Sequence, residues 1–215
     1  MKVDAVLFDL DGTLADTAPD LALALQAVRN PGLPALAVES VRKATAVGTE
    51  ALLYLGLGIT PSDPLYEKTR AAFLGHYDRL IGQATVLTPG MGEVLQTLAA
   101  EGLPWGIVTN KPEGLARRVL KALGLFDASA CLVGGDTAKR PKPHPDPLLY
   151  ACQHLGLPAH RCVYIGDDPG DMIAARRAGM PGLAAAFGYA SADEARTWDA
   201  DGLLSTPGDL LAFIL

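Results

Sequence analysis

The segment Val3-Asp4-Ala5-Val6-Leu7-Phe8-Asp9-Leu10-Asp11-Gly12-Thr13 joins an apolar run to an abrupt break made of acids and a glycine. The run predicts a short buried strand, and the break predicts the turn that ends it. Comparable apolar runs follow at residues 104–109, 131–133 and 162–165, with weaker candidates at 182–187 and 201–204. Because these runs are nearly continuously apolar, they indicate a parallel sheet that is covered on both faces.

Helical patterns lie between the predicted strands, and a glycine follows several of them. The pairs are residues 91–98 with Gly102, 115–123 with Gly124, 148–155 with Gly156, and 173–178 with Gly179. Glycine adopts the left-handed conformation after a helix at little cost. This alternation of strands and helices predicts an α/β fold with a doubly wound, mainly parallel, Rossmann-like sheet. Ligands bind such sheets beyond the carboxyl ends of the strands.

One stretch, residues 17–83, departs from this alternation because it contains helical patterns and no convincing strand. Helices are predicted over residues 21–28, 41–55 and 65–80, separated by clusters of turn residues. We therefore expect an inserted all-helical cap at residues 17–83, over the edge of the sheet where the strands end. The α/β core would then consist of residues 1–16 and 84–215.

Composition and charge exclude several classes of protein. The 215 residues include 18 Lys and Arg against 24 Asp and Glu, a net charge of −6, without the basic stripe of nucleic-acid binders. No uncharged stretch reaches the ~20 apolar residues of a membrane-spanning helix, and acids interrupt the only run resembling a signal peptide. Cys131, Cys152 and Cys162 lack zinc or disulfide spacing, which indicates buried thiols. A soluble, cytoplasmic protein without nucleic-acid or membrane partners is expected.

Polar motifs follow the predicted strands at the points where they end. Asp9-Leu10-Asp11-Gly12-Thr13 follows the first strand, and Thr109-Asn110-Lys111-Pro112 follows the second. Gly166-Asp167-Asp168-Pro169-Gly170-Asp171 follows the fourth, and Lys142-Pro143-His144-Pro145 lies in a proline-rich loop before a helix. An Asp-Gly pair alone is a common turn. Motifs in this order at one edge of a sheet indicate a functional site.

The motifs D-L-D-G-T-L, T-N, K-P and G-D-D-x-x-D resemble those of the haloacid dehalogenase superfamily of phosphatases, and the likeness covers essentially the whole chain. The chain looks most like the phosphoglycolate phosphatase branch, which carries its cap after the first motif. D-T-A-P-D and V-T-N-K-P also resemble the N-acetylmuramic acid 6-phosphate phosphatases of bacterial cell-wall recycling. The resemblance implies Mg²⁺-dependent hydrolysis of a small phosphate monoester, phosphoglycolate or, as the alternative, N-acetylmuramic acid 6-phosphate.

A signalling receiver domain is the alternative from a different class of protein. Receivers also gather acids, a threonine and a lysine around Mg²⁺, and they accept a phosphoryl group on an aspartate. Their acceptor does not lie at the first strand, however, and they have no helical insertion. An enzyme would turn over repeatedly, whereas a receiver would take up phosphate once.

The acids in these motifs fit phosphatase chemistry. A carboxylate nucleophile divides ester hydrolysis into the formation and the hydrolysis of an aspartyl phosphate, and Asp9 is the expected nucleophile. Asp11 is expected to protonate the leaving alkoxide and later to deprotonate water. Because an anion attacks an anion, Mg²⁺ is the expected cofactor, with Asp9, Asp11 and Asp167 as its ligands. By resemblance, Asp11 contributes its backbone carbonyl.

The remaining motif residues have supporting assignments. Lys142 is predicted to cancel charge on the nucleophile and the phosphoryl oxygens, with a solvated loop lysine as the alternative. Thr109, through its hydroxyl, and Asn110, largely through its backbone N–H, are predicted to donate hydrogen bonds to phosphoryl oxygens. A helix cap is the alternative role for Asn110.

Asp168, Asp171 and Arg42 complete the candidate residues. Asp168 before Pro169 predicts a helix N-cap. Asp171 is assigned a supporting role, to orient Lys142 or a metal-bound water. Arg42, in the predicted cap, is a candidate to present its cation to a substrate carboxylate, with a solvated helix face as the alternative.

Overall fold

The computed structural model describes residues 2–215. The strands are β1 (Ala5–Phe8), β2 (Ala15–Asp16), β3 (Val86–Leu87), β4 (Trp105–Val108), β5 (Cys131–Val133), β6 (Cys162–Gly166), β7 (Gly182–Ala185) and β8 (Gly202–Leu204). One sheet has the order β5-β4-β1-β6-β7-β8, and each pairing in it is parallel. The predicted α/β fold with a parallel, Rossmann-like sheet is therefore confirmed.

The helices lie between the strands, in the segment from residue 17 to residue 83, and after the last strand. They are α1 (Ala18–Val28), α2 (Val38–Val47), α3 (Thr49–Leu57), α4 (Tyr66–Leu80), α5 (Met91–Ala100), α6 (Glu113–Ala122), α7 (Asp146–Leu155), α8 (Pro169–Ala178), α9 (Ala192–Ala195) and α10 (Asp209–Ile214). The predicted glycines after α5, α6, α7 and α8 all have left-handed backbones, with φ between 66° and 70°. These four helix ends are as predicted.

Apolar layers cover both faces of the sheet. Val6 and Phe8 point into a cluster with α5, α6 and α10, whereas Ala5 and Leu7 point into a second cluster with α7 and α8. This alternation follows from the period of two along a strand. Each large side chain buried in this way contributes roughly 1.5–3 kcal/mol to stability. The first strand is thus held on both sides up to the residue before Asp9.

The segment from residue 17 to residue 83, which we call the cap segment, contains α1 to α4 and an apolar cluster of its own. Leu25, Leu53 and Phe73 are fully buried in that cluster. The prediction of one helix over residues 41–55 is wrong, because α2 ends at Val47 and α3 begins at Thr49. Gly48 between them has φ 120° and ψ −173°, a conformation outside the helical region. The division into a core domain and a cap domain stays a prediction.

The chain passes from the sheet to the cap segment and back along two adjacent paths. β2 pairs antiparallel with β3, with Ala15 opposite Leu87. Near this crossing, the buried Asp20 carboxylate accepts hydrogen bonds from the amides of residues 82, 84 and 85 and from the Thr85 hydroxyl. These strands were not predicted from the sequence, since a run of two residues is too short to show a period.

The predicted burial of the cysteines is confirmed. Cys131, Cys152 and Cys162 are free thiols, and all of them are buried. Among residues 2–215, no helix combines the length and the apolar character that crossing a bilayer requires. The expected cytoplasmic location and the expected lack of nucleic-acid partners stay predictions.

Candidate active site

Three carboxylates meet at the carboxyl ends of the central strands. Asp9 follows β1, Asp167 follows β6, and Asp171 lies in the first turn of α8. Because β1 and β6 are neighbouring parallel strands, their ends place Asp9 beside Asp167. One oxygen atom from each of the three carboxylates lies within 4.8 Å of the others. We call these residues the carboxylate cluster.

Close backbone approach makes room for this cluster. A Cβ atom on Gly12 would collide with the Asp167 carboxylate, and one on Gly166 would collide with the Asp171 carboxylate. Gly12 also has φ 82°, a backbone angle that residues other than glycine rarely adopt. Asp167 is further fixed by the Thr13 hydroxyl at 2.9 Å and the Tyr189 amide at 2.8 Å. The position of the carboxylates is therefore set by their backbone surroundings.

Lys142 is the cation of the cluster. Its ammonium lies 3.2 Å from Asp9 Oδ1 and 2.7 Å from Asp171 Oδ1. It also donates to the Tyr164 hydroxyl at 2.6 Å and to the Val108 carbonyl at 3.2 Å. The side chain is only 3% exposed, so the alternative of a solvated loop lysine is wrong.

Asn110 holds the loop that carries Lys142. Its Oδ1 accepts from the Lys142 amide at 2.9 Å, and its Nδ2 donates to the Lys142 carbonyl at 3.1 Å. The alternative of a helix cap is wrong for Asn110, because α6 begins at Glu113 and its N-cap is Pro112. Thr109 is buried, and its hydroxyl oxygen accepts from the Lys111 amide at 3.2 Å. The proposed contacts of Thr109 and Asn110 with phosphoryl oxygens stay predictions.

The start of α8 confirms the predicted N-cap. The Asp168 side chain accepts from the Gly170 amide at 2.7 Å, with Pro169 at the first helical position. Asp171 completes a capping box by accepting from the Asp168 amide. One oxygen of Asp171 therefore caps the helix while the other contacts Lys142, which is the contact that its predicted supporting role requires.

The electrostatics of the cluster favour a bound cation. Burial raises the pKa of Asp9 to about 6, although Lys142 opposes the shift. Burial, followed by repulsion from Asp9, raises the pKa of Asp167 well above its ordinary value, and burial also raises the pKa of Asp171. Burial lowers the pKa of Lys142, but its interactions with Asp171 and Asp9 outweigh this and raise it overall. With three acids around one ammonium, the cluster fits a hard divalent cation that takes oxygen ligands.

Asp11 lies outside the carboxylate cluster, although it is one of the predicted metal ligands. Its two carboxylate oxygens lie 2.6 and 2.8 Å from the Lys111 ammonium, and the Thr17 hydroxyl donates to Oδ1 at 2.5 Å. The side chain of Asp11 is thus occupied by Lys111 and by the start of the cap segment. This leaves the backbone carbonyl as the predicted contact of Asp11 with the metal.

A cavity of about 160 Å³ connects the carboxylate cluster with the cap segment. From the core it is lined by Asp9, Asp11, Asn110, Lys111, Lys142 and the acids at the start of α8. Arg42 is not among the residues that line it. The Arg42 guanidinium instead lies 2.6 Å from Asp16 and 3.2 Å from Glu39. Its predicted contact with a substrate carboxylate stays a prediction.

Several residues at this site were not assigned by sequence reasoning. Lys111 pairs with Asp11, Tyr164 bonds to Lys142, and Tyr189 donates its amide to Asp167. Lys111 directly follows Thr109-Asn110, so its place after a strand end was a usable signal. Tyr164 and Tyr189 carry no such signal, because a tyrosine in an apolar strand or in a loop is ordinary.

Known proteins resemble this chain over most of its length. The sequence model of the haloacid dehalogenase-like hydrolases matches residues 3–179. The chain is 43% identical over 208 residues to a phosphoglycolate phosphatase of Xanthomonas campestris pv. campestris, covering 96% of this chain and 94% of that protein. It is 38% identical over 213 residues to the N-acetylmuramic acid 6-phosphate phosphatase of Pseudomonas aeruginosa, covering 98% and 94%.

A solved structure shows the same fold. The crystal structure of a predicted phosphoglycolate phosphatase from Haemophilus somnus 129Pt superimposes with a TM-score of 0.85 at 25% identity. The superposition covers 99% of this chain and 98% of that one. The matched sequence model and the relatives above 30% identity lead to one conclusion, which is that this chain belongs to the haloacid dehalogenase-like hydrolase family.

Proposed function

We propose that this protein is a Mg²⁺-dependent phosphomonoesterase that hydrolyses a small phosphorylated metabolite, with phosphoglycolate as the favoured substrate, through an aspartyl phosphate. The observation that carries the proposal is the carboxylate cluster with its buried Lys142, which opens into a small cavity. The phosphatase relatives support the reaction class.

The residues of the chain divide the reaction into two displacements. In the first, an Asp9 oxygen bonds to phosphorus, the ester P–O bond breaks, and Asp11 gives its proton to the departing alkoxide. In the second, a water oxygen bonds to phosphorus while Asp11 takes a proton from that water. The bond between Asp9 and phosphorus then breaks, which releases inorganic phosphate and restores both acids. Lys142, 3.2 Å from Asp9, would reduce charge repulsion in both displacements.

The carboxylate cluster would hold the metal. Asp9 and Asp167 would provide carboxylate oxygens, with Asp171 beside them and the Asp11 carbonyl as the further predicted contact. Bound there, Mg²⁺ would neutralise negative charge on the phosphoryl group and the nucleophile. Lys142, already in contact with Asp9 and Asp171, keeps both carboxylates oriented.

The size of the cavity favours the smaller of the two candidate substrates. Its volume of about 160 Å³ is below the roughly 300–1,000 Å³ of pockets that enclose drug-sized ligands. A two-carbon phosphate ester fits that scale better than an amino-sugar phosphate with a lactyl substituent. N-Acetylmuramic acid 6-phosphate is kept as the second candidate because a phosphatase of that name is 38% identical to this chain.

The test is turnover with and without the metal. Purified protein is assayed with p-nitrophenyl phosphate in Mg²⁺ and in EDTA, and kcat/KM is then compared for phosphoglycolate, N-acetylmuramic acid 6-phosphate and a hexose phosphate. We expect many turnovers that require Mg²⁺ and the highest kcat/KM for phosphoglycolate. A single stoichiometric uptake of phosphate, or full activity in EDTA, would contradict the proposed reaction. A higher kcat/KM for the amino sugar would reassign the substrate.

A further inference from the structure

The hydroxyl of Tyr77 lacks a partner although it is buried. Of the buried side-chain nitrogen and oxygen atoms in residues 2–215, this oxygen is the one without a hydrogen-bond partner at normal geometry. Tyr77 lies on α4, is 1% exposed, and lines the cavity. Leaving such a group unsatisfied costs about 1–3 kcal/mol. A ligand atom in the cavity would remove that cost.

Lys111 lies against the same tyrosine from the core side. Its ammonium is 4.7 Å from the centroid of the Tyr77 ring, and its side chain is 5% exposed. The ammonium also interacts with the Tyr77 oxygen as a donor, but because it has three donors and no acceptor, it leaves the Tyr77 O–H without an acceptor. Burial raises the pKa of Tyr77 to about 12, which keeps its hydroxyl protonated at neutral pH. Lys111 and Tyr77 therefore present donors to an acceptor in the cavity.

The opposite wall of the cavity also offers donors. Gly48 and Thr49, at the start of α3, line it, and no side chain caps this nine-residue helix. The first amides of an uncapped helix point outward and favour negative charge. The other cap-segment residues that line the cavity, such as Leu52 and Phe73, are apolar or hydroxyl-bearing, and none of those described is acidic. With free helix amides and no acidic side chain among its described residues, this wall suits an anion.

We propose that Tyr77 and Lys111, facing the start of α3, form a subsite that binds a carboxylate on the leaving group of the substrate. The proposal rests on the function proposed above and adds the residues that select the substrate. The phosphoryl group would occupy the carboxylate-cluster end of the cavity. The Tyr77 hydroxyl and the Lys111 ammonium would donate to the carboxylate at the other end, which makes them specificity-determining residues.

The experiment compares two substrates that differ only in this group. 2-Phosphoglycolate carries the carboxylate, whereas 2-hydroxyethyl phosphate carries a hydroxymethyl group in its place. The measured quantity is the ratio of kcat/KM for the first to kcat/KM for the second, with Mg²⁺ present. We expect Tyr77→Phe to lower this ratio about tenfold, since a hydrogen bond to a charged group is worth at least about 1.4 kcal/mol.

Tyr66→Phe is the matched control. Tyr66 lies on the same helix and is also buried, but it does not line the cavity. Its variant should keep the ratio of the unmodified protein. An unchanged ratio in Tyr77→Phe, or an equal fall in Tyr66→Phe, would overturn the proposal. Thermal unfolding of Tyr77→Phe should show no loss of stability, because the substitution removes an unsatisfied polar atom.

Lys111→Gln separates two roles of the lysine. Loss of its ion pair with Asp11 will slow hydrolysis of both substrates. The subsite predicts an additional, selective loss for 2-phosphoglycolate, so the ratio should fall here as well. Equal losses for both substrates would remove Lys111 from the subsite and restrict it to Asp11.

Failure of the subsite and failure of the proposed function are distinguishable. If the unmodified protein turns over neither these two esters, nor p-nitrophenyl phosphate, nor N-acetylmuramic acid 6-phosphate, the proposed function fails. The subsite is then tested by ligand-induced stabilisation, as the increase in Tm caused by 2-phosphoglycolate compared with 2-hydroxyethyl phosphate. A preference for 2-phosphoglycolate that disappears in Tyr77→Phe supports the subsite. If 2-phosphoglycolate raises Tm by the same amount in the unmodified protein and in Tyr77→Phe, the subsite is overturned.

Discussion

The two ends of the cavity differ in how completely their polar groups are satisfied. At the sheet edge, the Lys142 ammonium has contacts with Asp9, Asp171, Tyr164 and the Val108 carbonyl. At the wall formed by the cap segment, the buried hydroxyl of Tyr77 has no acceptor, and the Lys111 ammonium lies against its ring. The first end is preorganised before any ligand arrives, whereas the second leaves donors free.

This difference separates the chemistry from the recognition. Preorganised charges at the sheet edge act on any phosphoryl group, because they require no rearrangement when the reaction occurs. Free donors in an apolar wall act only on a leaving group that brings a matching acceptor, and they reject one that lacks it. Substitutions at the sheet edge should therefore affect all substrates, and substitutions at the wall should affect some substrates more than others.

Asp9→Asn should have the largest effect on activity. It removes the proposed nucleophile and keeps the size of the side chain, so kcat should fall at least about a thousandfold for every phosphate ester. Circular dichroism and Tm should show an intact fold. Activity close to that of the unmodified protein, on either an aryl phosphate or phosphoglycolate, would remove Asp9 from the role of nucleophile.

Lys142→Met should have the largest effect on stability. It leaves the Asp9 and Asp171 carboxylates buried without their cation, which costs about 3–5 kcal/mol and lowers Tm by roughly 10 °C. Lys139→Met is the control, because Lys139 is an exposed lysine nearby and should change stability by less than about 0.5 kcal/mol. Equal changes in Tm for the two variants would show that the contacts of Lys142 with the acids do not stabilise the fold.

The sheet edge was predictable from sequence, and most of the wall was not. Strands such as β1 and β6 are short local runs, and their ends place Asp9 and Asp167 together once the sheet is parallel. The contact between Tyr77 and Lys111 depends on how α4 lies against the loop after β4, which no local pattern encodes. The break at Gly48 was missed for a related reason, since a single glycine within a helical pattern is often tolerated.

Mg²⁺ should stabilise the protein more at pH 7.5 than at pH 5. The pKa of Asp9 is raised to about 6 from 3.8, so the metal-free native state binds this proton more tightly than the unfolded chain does. The metal-free protein therefore loses stability as the pH rises from 3.8 to about 6. The loss is about 1.4 kcal/mol for each unit of difference between the native and unfolded pKa of Asp9. Mg²⁺ competes with protons below pH 6 and not above it. The measurement is the Mg²⁺-induced increase in Tm at both pH values, and equal increases would argue against metal binding by the cluster.

Gly48→Ala should have the smallest effect on activity, confined to the wall. The added Cβ meets no atom within 4 Å, so the cost in stability comes only from the backbone conformation at φ 120° and amounts to about 1–3 kcal/mol. Gly92→Ala is the control, because Gly92 lies within α5, where alanine is favoured over glycine by about 0.5–1 kcal/mol. The Gly48 variant should raise the KM for phosphoglycolate more than it lowers kcat, since the proposed subsite sets the start of α3 against the leaving group and not against phosphorus. A fall in kcat at constant KM would show that this turn also positions the groups that react, and the separation between the two ends of the cavity would then fail.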